Sequence, residues 1–417
     1  MKGFRAGWTR HRMKFATLIN ARSLPESTDP DFDFDYVDIS RVTQGVIDSE
    51  PQAVTFRSAP SRARRLADPG DTVVSTVRTY LRAVAEVSPT DMPQVFSTGF
   101  AVIKGRPGIL DPRFLTYYLQ SSPFVERVVA DSVGVSYPAI NASDLAAYDF
   151  WAPNMIEQTA IADFLDRETA QIDAMIEAQE RVVHLSQEHR AAVVAQTLEA
   201  LETGGAPTVP LRYCLMVQSG VTLGYKPSED DEEYPYLRVA NVQTGWLDLD
   251  VIKTVRVAPD VARRAMLRTG DVLITEGGDR TALGRGALWR GEIPGALHQN
   301  HIFALRCRDC LDPSFLVYVL DTPAARIHFE STRRQTTNLS STNTAKVKAF
   351  KTPLPPVTRQ KEVVAELDGA LESVNEVIAA AQRVTILLRE RREALITAAV
   401  SGRIDPTTGI ERIEEAS

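Results

Sequence analysis

Apolar stripes at helical spacing run through two long stretches of this chain. Residues 157–201 hold neither proline nor glycine, and Ile161, Leu165, Ile172, Ile176 and Val183 recur there at steps of 4, 7, 4 and 7. In the second stretch Leu367, Leu371, Val374, Ile378, Ala381, Leu388 and Leu395 keep the same rhythm. Such spacing lines up one seam along a helix, as in a coiled coil. Both stretches open after proline-bearing residues (WAPNMIEQ, TPLPPVTRQ) and close near glycine (TGG at 203–205, SGR at 401–403), the usual start and stop signals. The 43 residues 359–401 would reach about 65 Å at about 1.5 Å per residue.

Elsewhere the period changes. Runs such as TVVSTV and DVLITE read as strands, each preceded by a Gly-Asp turn signal. In LDP-x-F-L the aspartate (Asp111, Asp312) is a natural N-cap and the proline (Pro112, Pro313) a natural first helical residue, so short amphipathic helices should follow. These parts are α+β.

The whole arrangement comes twice. YVDISRVTQGVID, from Tyr36, is answered by YLRVANVQTGWLD, from Tyr236, with the same glycine (Gly45, Gly245) and aspartate (Asp48, Asp248). PGDTVVST (69–76) is answered by TGDVLITE (269–276), ILDPRFLTYYL by CLDPSFLVYVL, and EQTAIADFLD by RQKEVVAELD. Arg181 and Arg190 recur as Arg383 and Arg392. The offset drifts only from 200 to 202, which marks a duplicated unit. The expected organisation is a globular block at 1–152, a long helix at 153–203, a second block at 204–352, a second helix at 353–404 and a tail at 405–417. A helix with one apolar seam needs a partner. Two such helices related by a pseudo-twofold axis would pair antiparallel.

Composition narrows the class. A hydrophobic fraction of 44% suffices for real cores. No apolar run is long enough to cross a bilayer, and the basic N-terminus lacks a signal-peptide apolar segment. Three cysteines (Cys214, Cys307, Cys310) make no disulfide framework. The cytoplasm is the expected compartment. The net charge of −7 is concentrated: residues 153–204 hold 3 Lys/Arg against 10 Asp/Glu, while 1–152 hold 17 of each. A basic face on either block is compatible with that total.

Catalytic signatures are missing from the sequence. There is no G-x-x-x-x-G-K-[ST] loop for phosphates and no Asn-Pro-Pro-aromatic or Asp-Pro-Pro-aromatic tetrapeptide for amino methylation. GGDRTALGRG (277–286) does not follow G-x-G-x-x-G and reads as a flexible loop. Cys307-x-x-Cys310 needs two further zinc ligands; Cys214, His298 and His301 are the candidates, but the first copy has Arg106 and Ile109 there. Strand-end cysteines are the expectation, and no metal. EDDEE (229–233) reads as a solvated loop.

Block, helix, block, helix resembles the specificity subunit of a type I restriction–modification system. The likeness rests on PLPPVTRQKEVVAELD, GDVLITEGG, YLRVANV and REALITAAVSGRID, with looser first-half counterparts APNMIEQTAIADFLD, GDTVVST and YVDISRV. The resemblance implies two target recognition domains separated by an antiparallel two-helix coiled coil, each reading half of a split DNA site. It implies double-stranded DNA, two methyltransferase subunits and two translocating restriction nuclease subunits as partners. It also implies no catalysis here, with S-adenosylmethionine, ATP and Mg on the partners. The halves differ in detail, so the site should be asymmetric. A free-standing nuclease with duplicated DNA-binding domains, or an orphan subunit redirecting another methyltransferase, is the alternative.

Base reading favours Arg, Asn, Gln, Ser and Thr on loops, and phosphate contact favours Lys and Arg. Three regions per block qualify. After the opening strand stand Ser40 and Arg41, against Asn241 and Gln243. After the Gly-Asp strand stand Thr76, Arg78, Tyr80 and Arg82, against Arg280, Thr281 and Arg285. Before the long helix stand Ser136, Tyr137 and Asn141, against Arg333, Arg334, Gln335, Thr336 and Asn338.

Overall fold

The computed structural model describes residues 7–48, 50, 52–134, 137–222, 228, 230–278, 286–331, 334–336 and 339–412. It is a mixed helix and sheet structure with two long helices, Met155–Thr203 and Val357–Val400. The chain forms two compact units: Met1–Glu180 with Arg383–Ser417, and Arg181–Gln382. Both borders fall inside the long helices.

In the first unit one antiparallel sheet runs in the order Thr17–Ile19, Phe100–Gly105, Thr72–Ser75, Val84–Glu86. A second runs Ala53–Thr55, Asp33–Val37, Gln94–Ser97, Ala63–Leu66, with its central pair parallel. Thr9–Arg12 pairs with Asp149–Ala152. Asp111 caps Pro112–Gln120 as expected, accepting from Arg113 N (2.9 Å) and Phe114 N (3.3 Å). The core joins Ile103, Phe114, Leu119 and Phe150 to Ile161 and Leu165 of the first long helix and to Ile396, Ala399 and Val400 of the second. Asp173 pairs with Arg392 (2.8 Å) and Glu180 with Arg389 (2.7 Å). One number rises as the other falls, so within this unit the helices run antiparallel.

The second unit builds the same order from Leu215–Ser219, Ile302–Cys307, Asp271–Thr275 and Gly286–Leu288. Beside it lie Lys253–Val257, Glu232–Leu237 and Leu297–His298, the last two parallel. Thr208–Pro210 pairs with Lys351–Pro353. Asp312 caps Pro313–Leu320. Val194 and Leu198 of the first long helix share a core with Val363, Leu367 and Leu371 of the second, packed against Phe315 and Phe329.

The seam is partly as read. Ile161, Leu165, Ile172, Leu367, Leu371 and Ala381 are buried; Ile176, Val183, Val374, Ile378, Leu388 and Leu395 are not, or only in part. Two of the seven-residue gaps hold buried threonines, Thr169 and Thr385. Thr169 meets its own need by donating to the Leu165 carbonyl (2.6 Å). The strands Thr72–Ser75 and Asp271–Thr275 form as read and are buried on both faces. The acidic run is not wholly a solvated loop: Asp231 is buried, accepting from Ser228 N (3.1 Å), and a strand begins at Glu232.

Candidate nucleic-acid interface

The shared glycine and aspartate of the repeated opening segment are turn-makers. Gly45 and Gly245 adopt φ of +88° and +82°, a region that L side chains rarely enter. Asp48 and Asp248 accept from the backbone N–H two residues on, Glu50 (3.0 Å) and Asp250 (3.2 Å). Each glycine also lies beside a repeated arginine. A Cβ would stand 3.4 Å from an Arg392 nitrogen at Gly45 and 3.5 Å from an Arg190 nitrogen at Gly245.

This turn consumes two of the side chains read as base-contacting. Arg41 does not face outward. It pairs with Asp35 (2.6 Å) and donates to the Tyr36, Asp48 and Glu50 carbonyls. Asn241, at the matching position, is buried and donates to the Asp248 (2.8 Å) and Val251 (3.2 Å) carbonyls. Their shared task is holding the loop. Gln243 bonds back to the Ala240 carbonyl (2.9 Å). Ser40 is exposed but donates to Asp38 (2.6 Å).

In the first unit the second and third regions meet. Thr76 is buried, its N–H and hydroxyl both donating to the Gly99 carbonyl, and its own carbonyl accepts from Ile140 N (2.9 Å). Arg78 N donates to the Pro138 carbonyl (2.8 Å), and Val77 pairs with Ala139. Arg78 and Arg82 bracket the short turn Thr79–Leu81 with left-handed φ of 50° and 55°. Non-glycine residues held so cost about 1–2 kcal/mol each and concentrate at functional sites. Arg78 lies with its guanidinium 4.8 Å from the centre of the Tyr137 ring. Tyr80, Leu81, Val133 and Tyr137 are exposed around it. A cation stacked on an exposed aromatic ring suits a phosphate or an unstacked base edge.

The neighbouring candidates serve elsewhere. Arg82 pairs with Glu393 (2.8 Å), which also accepts from Ser122 (2.6 Å), so it ties this loop to the second long helix. Asn141 shares a capping box with Asp144 on Ala142–Ala146. Ser136 lies outside the described residues.

In the second unit Arg334–Thr336 pairs with Leu339–Ser341, which pairs with Gly277–Gly278. This sets the strand that precedes region two beside the strands of region three. Arg280, Thr281, Arg285, Arg333 and Asn338 lie outside the described residues. At the root, Glu276 N donates to the His301 carbonyl (2.8 Å), and the Glu276 carbonyl accepts from Thr342 N (2.8 Å). Sequence reasoning missed Glu276, an acidic residue where basic ones were sought; its only signal was the alignment with Thr76.

The cysteines sit at a strand end and its neighbours. Cys307 closes Ile302–Cys307; burial pushes its thiol up to about 12 and that of Cys214 up to about 11. Among the described residues no group of three His, Cys, Asp or Glu is placed to hold a metal ion. His298 is fully buried, its Nδ1 2.9 Å from the Ile302 carbonyl, and burial lowers its pKa to about 4. Below pH 6.5 the unfolded chain takes up a proton that the folded chain refuses until about pH 4. Stability therefore falls as pH drops through that window. The loss between pH 7 and 5 is expected to be about 2 kcal/mol. Chemical melts of His298→Asn against the parent, pH by pH, should show that slope flattened.

Comparison with known proteins fits this geometry to a class. Residues 32–182 match the family model described as the type I restriction modification DNA specificity domain. The chain is 22% identical over 328 residues, 71% of each protein, to the type I restriction enzyme EcoKI specificity subunit of Escherichia coli K12. It is 24% identical over 169 residues, 39% of each, to the putative type I restriction enzyme MjaX specificity subunit of Methanocaldococcus jannaschii. A solved chain described under complex assembly and conformational transition of the type I R-M system shares the fold. Its TM-score is 0.52 and its identity 24%, over 96% of this chain and 99% of that one. Residues 32–182 thus carry the likeness to a DNA specificity domain. Over 71% of its length the chain is similar to a specificity subunit of a type I restriction–modification system.

Proposed function

We propose that this chain reads an asymmetric, bipartite DNA site with two homologous target recognition domains, 1–152 and 204–352, spaced by the two long helices as an antiparallel coiled coil. The observation that carries this reading is the pair of scaffolds. Strand order, turn glycines and aspartate caps recur, as do Gln158 and Gln360, which accept from Asp111 N and Asp312 N at the two helix entries, while the side chains at the loop tips differ. Equal frames with unlike tips suit two different half-sites. Major grooves recur on one face of DNA about every 34 Å, so an unread gap demands a spacer of fixed length.

Two methyltransferase subunits and two restriction translocase–endonuclease subunits complete the assembly. In this reading S-adenosylmethionine, ATP and Mg belong to them. The long helices expose Met175, Val182, Leu185, Val377, Val384, Ile386 and Leu387, apolar surface available to such partners. No helix among the described residues is long and apolar enough to cross a membrane. We place the complex in the cytoplasm, with its DNA.

Strand-specific methylation mapping in cells with and without the chain tests this. A two-part motif of unlike halves should appear only with the chain; a palindrome, or no change, overturns the reading. Arg78→Ala should relax one half-site by about 1–3 kcal/mol and leave the other sharp. Weakening on every sequence, with a salt slope lower by about one, would assign Arg78 to phosphate instead.

A further inference from the structure

The two units can be compared at one point where their backbones agree and their side chains do not. In the first, Thr76 N donates to the Gly99 carbonyl and the Thr76 carbonyl accepts from Ile140 N. In the second, Glu276 N donates to the His301 carbonyl and the Glu276 carbonyl accepts from Thr342 N. Position for position, Thr76 answers Glu276 and Gly99 answers His301. The first pair is closed off: Thr76 is buried, and a Cβ on Gly99 would stand 2.7 Å from Ile39 Cδ1. The second pair is open. His301 Nδ1 lies 2.9 Å from Glu276 Oε2, with the side chains 56% and 25% exposed. It stands where Asp271–Thr275 gives way to the small sheet of Gly277–Gly278, Leu339–Ser341 and Arg334–Thr336.

A carboxylate at a DNA-facing surface repels phosphate. It gains only from donors, and on base edges in the major groove those are the amino groups of cytosine and adenine. An ionised carboxylate accepts and cannot donate, so it rejects the keto oxygens of guanine and thymine. We propose that Glu276, oriented by His301, is a specificity-determining residue that accepts from the amino group of one base in the half-site read by the second domain. This rests on the DNA-reading function proposed above.

The test is methylation mapping in cells carrying the complete complex, with the parent chain, Glu276→Gln or His301→Ala. The amide that replaces the carboxylate in Glu276→Gln both donates and accepts, so one cytosine or adenine of one half-site should lose its selectivity by roughly ten- to a hundred-fold. The other half-site, read by the first domain, should stay sharp. His301→Ala should loosen the same base to a smaller degree. An unchanged motif in both variants overturns the proposal and leaves the DNA-reading function standing. Loss at both half-sites, or failure of the complex to assemble, would make Glu276 a structural residue and overturn it equally. If the parent chain itself confers no motif, the function falls and the proposal with it.

Discussion

Arg190→Ala is expected to destabilise the unit Arg181–Gln382 by about 3 kcal/mol or more. Arg190 is mostly buried and pairs with Asp321, whose side chain is only 4% exposed. Burial raises the Asp321 pKa, and the charges of Arg190 and then Arg326 oppose that shift. Removing Arg190 leaves the carboxylate with Arg326, 3.5 Å away and half in solvent, as a weaker partner. The pH dependence of the deficit has a definite sign. Without Arg190 the folded state favours the protonated acid more strongly than the unfolded state does. The variant therefore regains stability relative to the parent as pH falls toward the carboxylate range. Urea melts at pH 7.5 and 5 should show the gap narrowing; a constant gap would mean lost packing against Tyr318, whose ring centre lies 5.9 Å from the guanidinium. Arg190→Ala with Asp321→Asn should recover part of the loss.

Gln360→Ala should cost about 3 kcal/mol, from donors and acceptors left without partners. The side chain is fully buried. Its oxygen accepts from Asp312 N (2.8 Å), and its nitrogen donates to the Cys310 (3.0 Å) and Pro355 (2.8 Å) carbonyls. Gln158 does the same with Asp111 N (2.9 Å), the Ile109 carbonyl (3.0 Å) and the Pro153 carbonyl (2.9 Å). One amide thus pins the start of each long helix to the cap of a short one. Gln360→Glu should be no better than alanine near neutral pH, since its carboxylate would face two carbonyl oxygens. Thermal melts of both variants check this; a glutamate as stable as the parent would show that the donated bonds contribute nothing.

The sequence made the frame legible and the tips much less so. Proline, glutamine and the capping aspartates announce themselves by spacing, because backbone hydrogen bonding leaves few residue types able to do those jobs. The seam was half legible: Thr169 and Thr385 complete it but carry hydroxyls, which a hydrophobic rhythm passes over. Arg41 and Asn241 were indistinguishable from DNA contacts in the sequence, since a polar side chain on a turn looks alike whether it bonds outward or back to its own loop. Only the fold shows that both grip the carbonyl of the repeated aspartate, Asp48 in one copy and Asp248 in the other. Arg78 and Tyr137, 59 positions apart, become one surface feature only through the pairing of Val77 with Ala139.

The unit borders carry a consequence for how the protein is made. One compact unit is a continuous segment, Arg181–Gln382, and can finish folding once it has left the ribosome. The other needs Ile396, Ala399 and Val400 to cover Ile161 and Leu165, so residues 1–180 wait for a segment more than 200 residues further on. At about 5–20 residues per second that delay is roughly 10–50 s, during which a nascent apolar face stays open to chaperones.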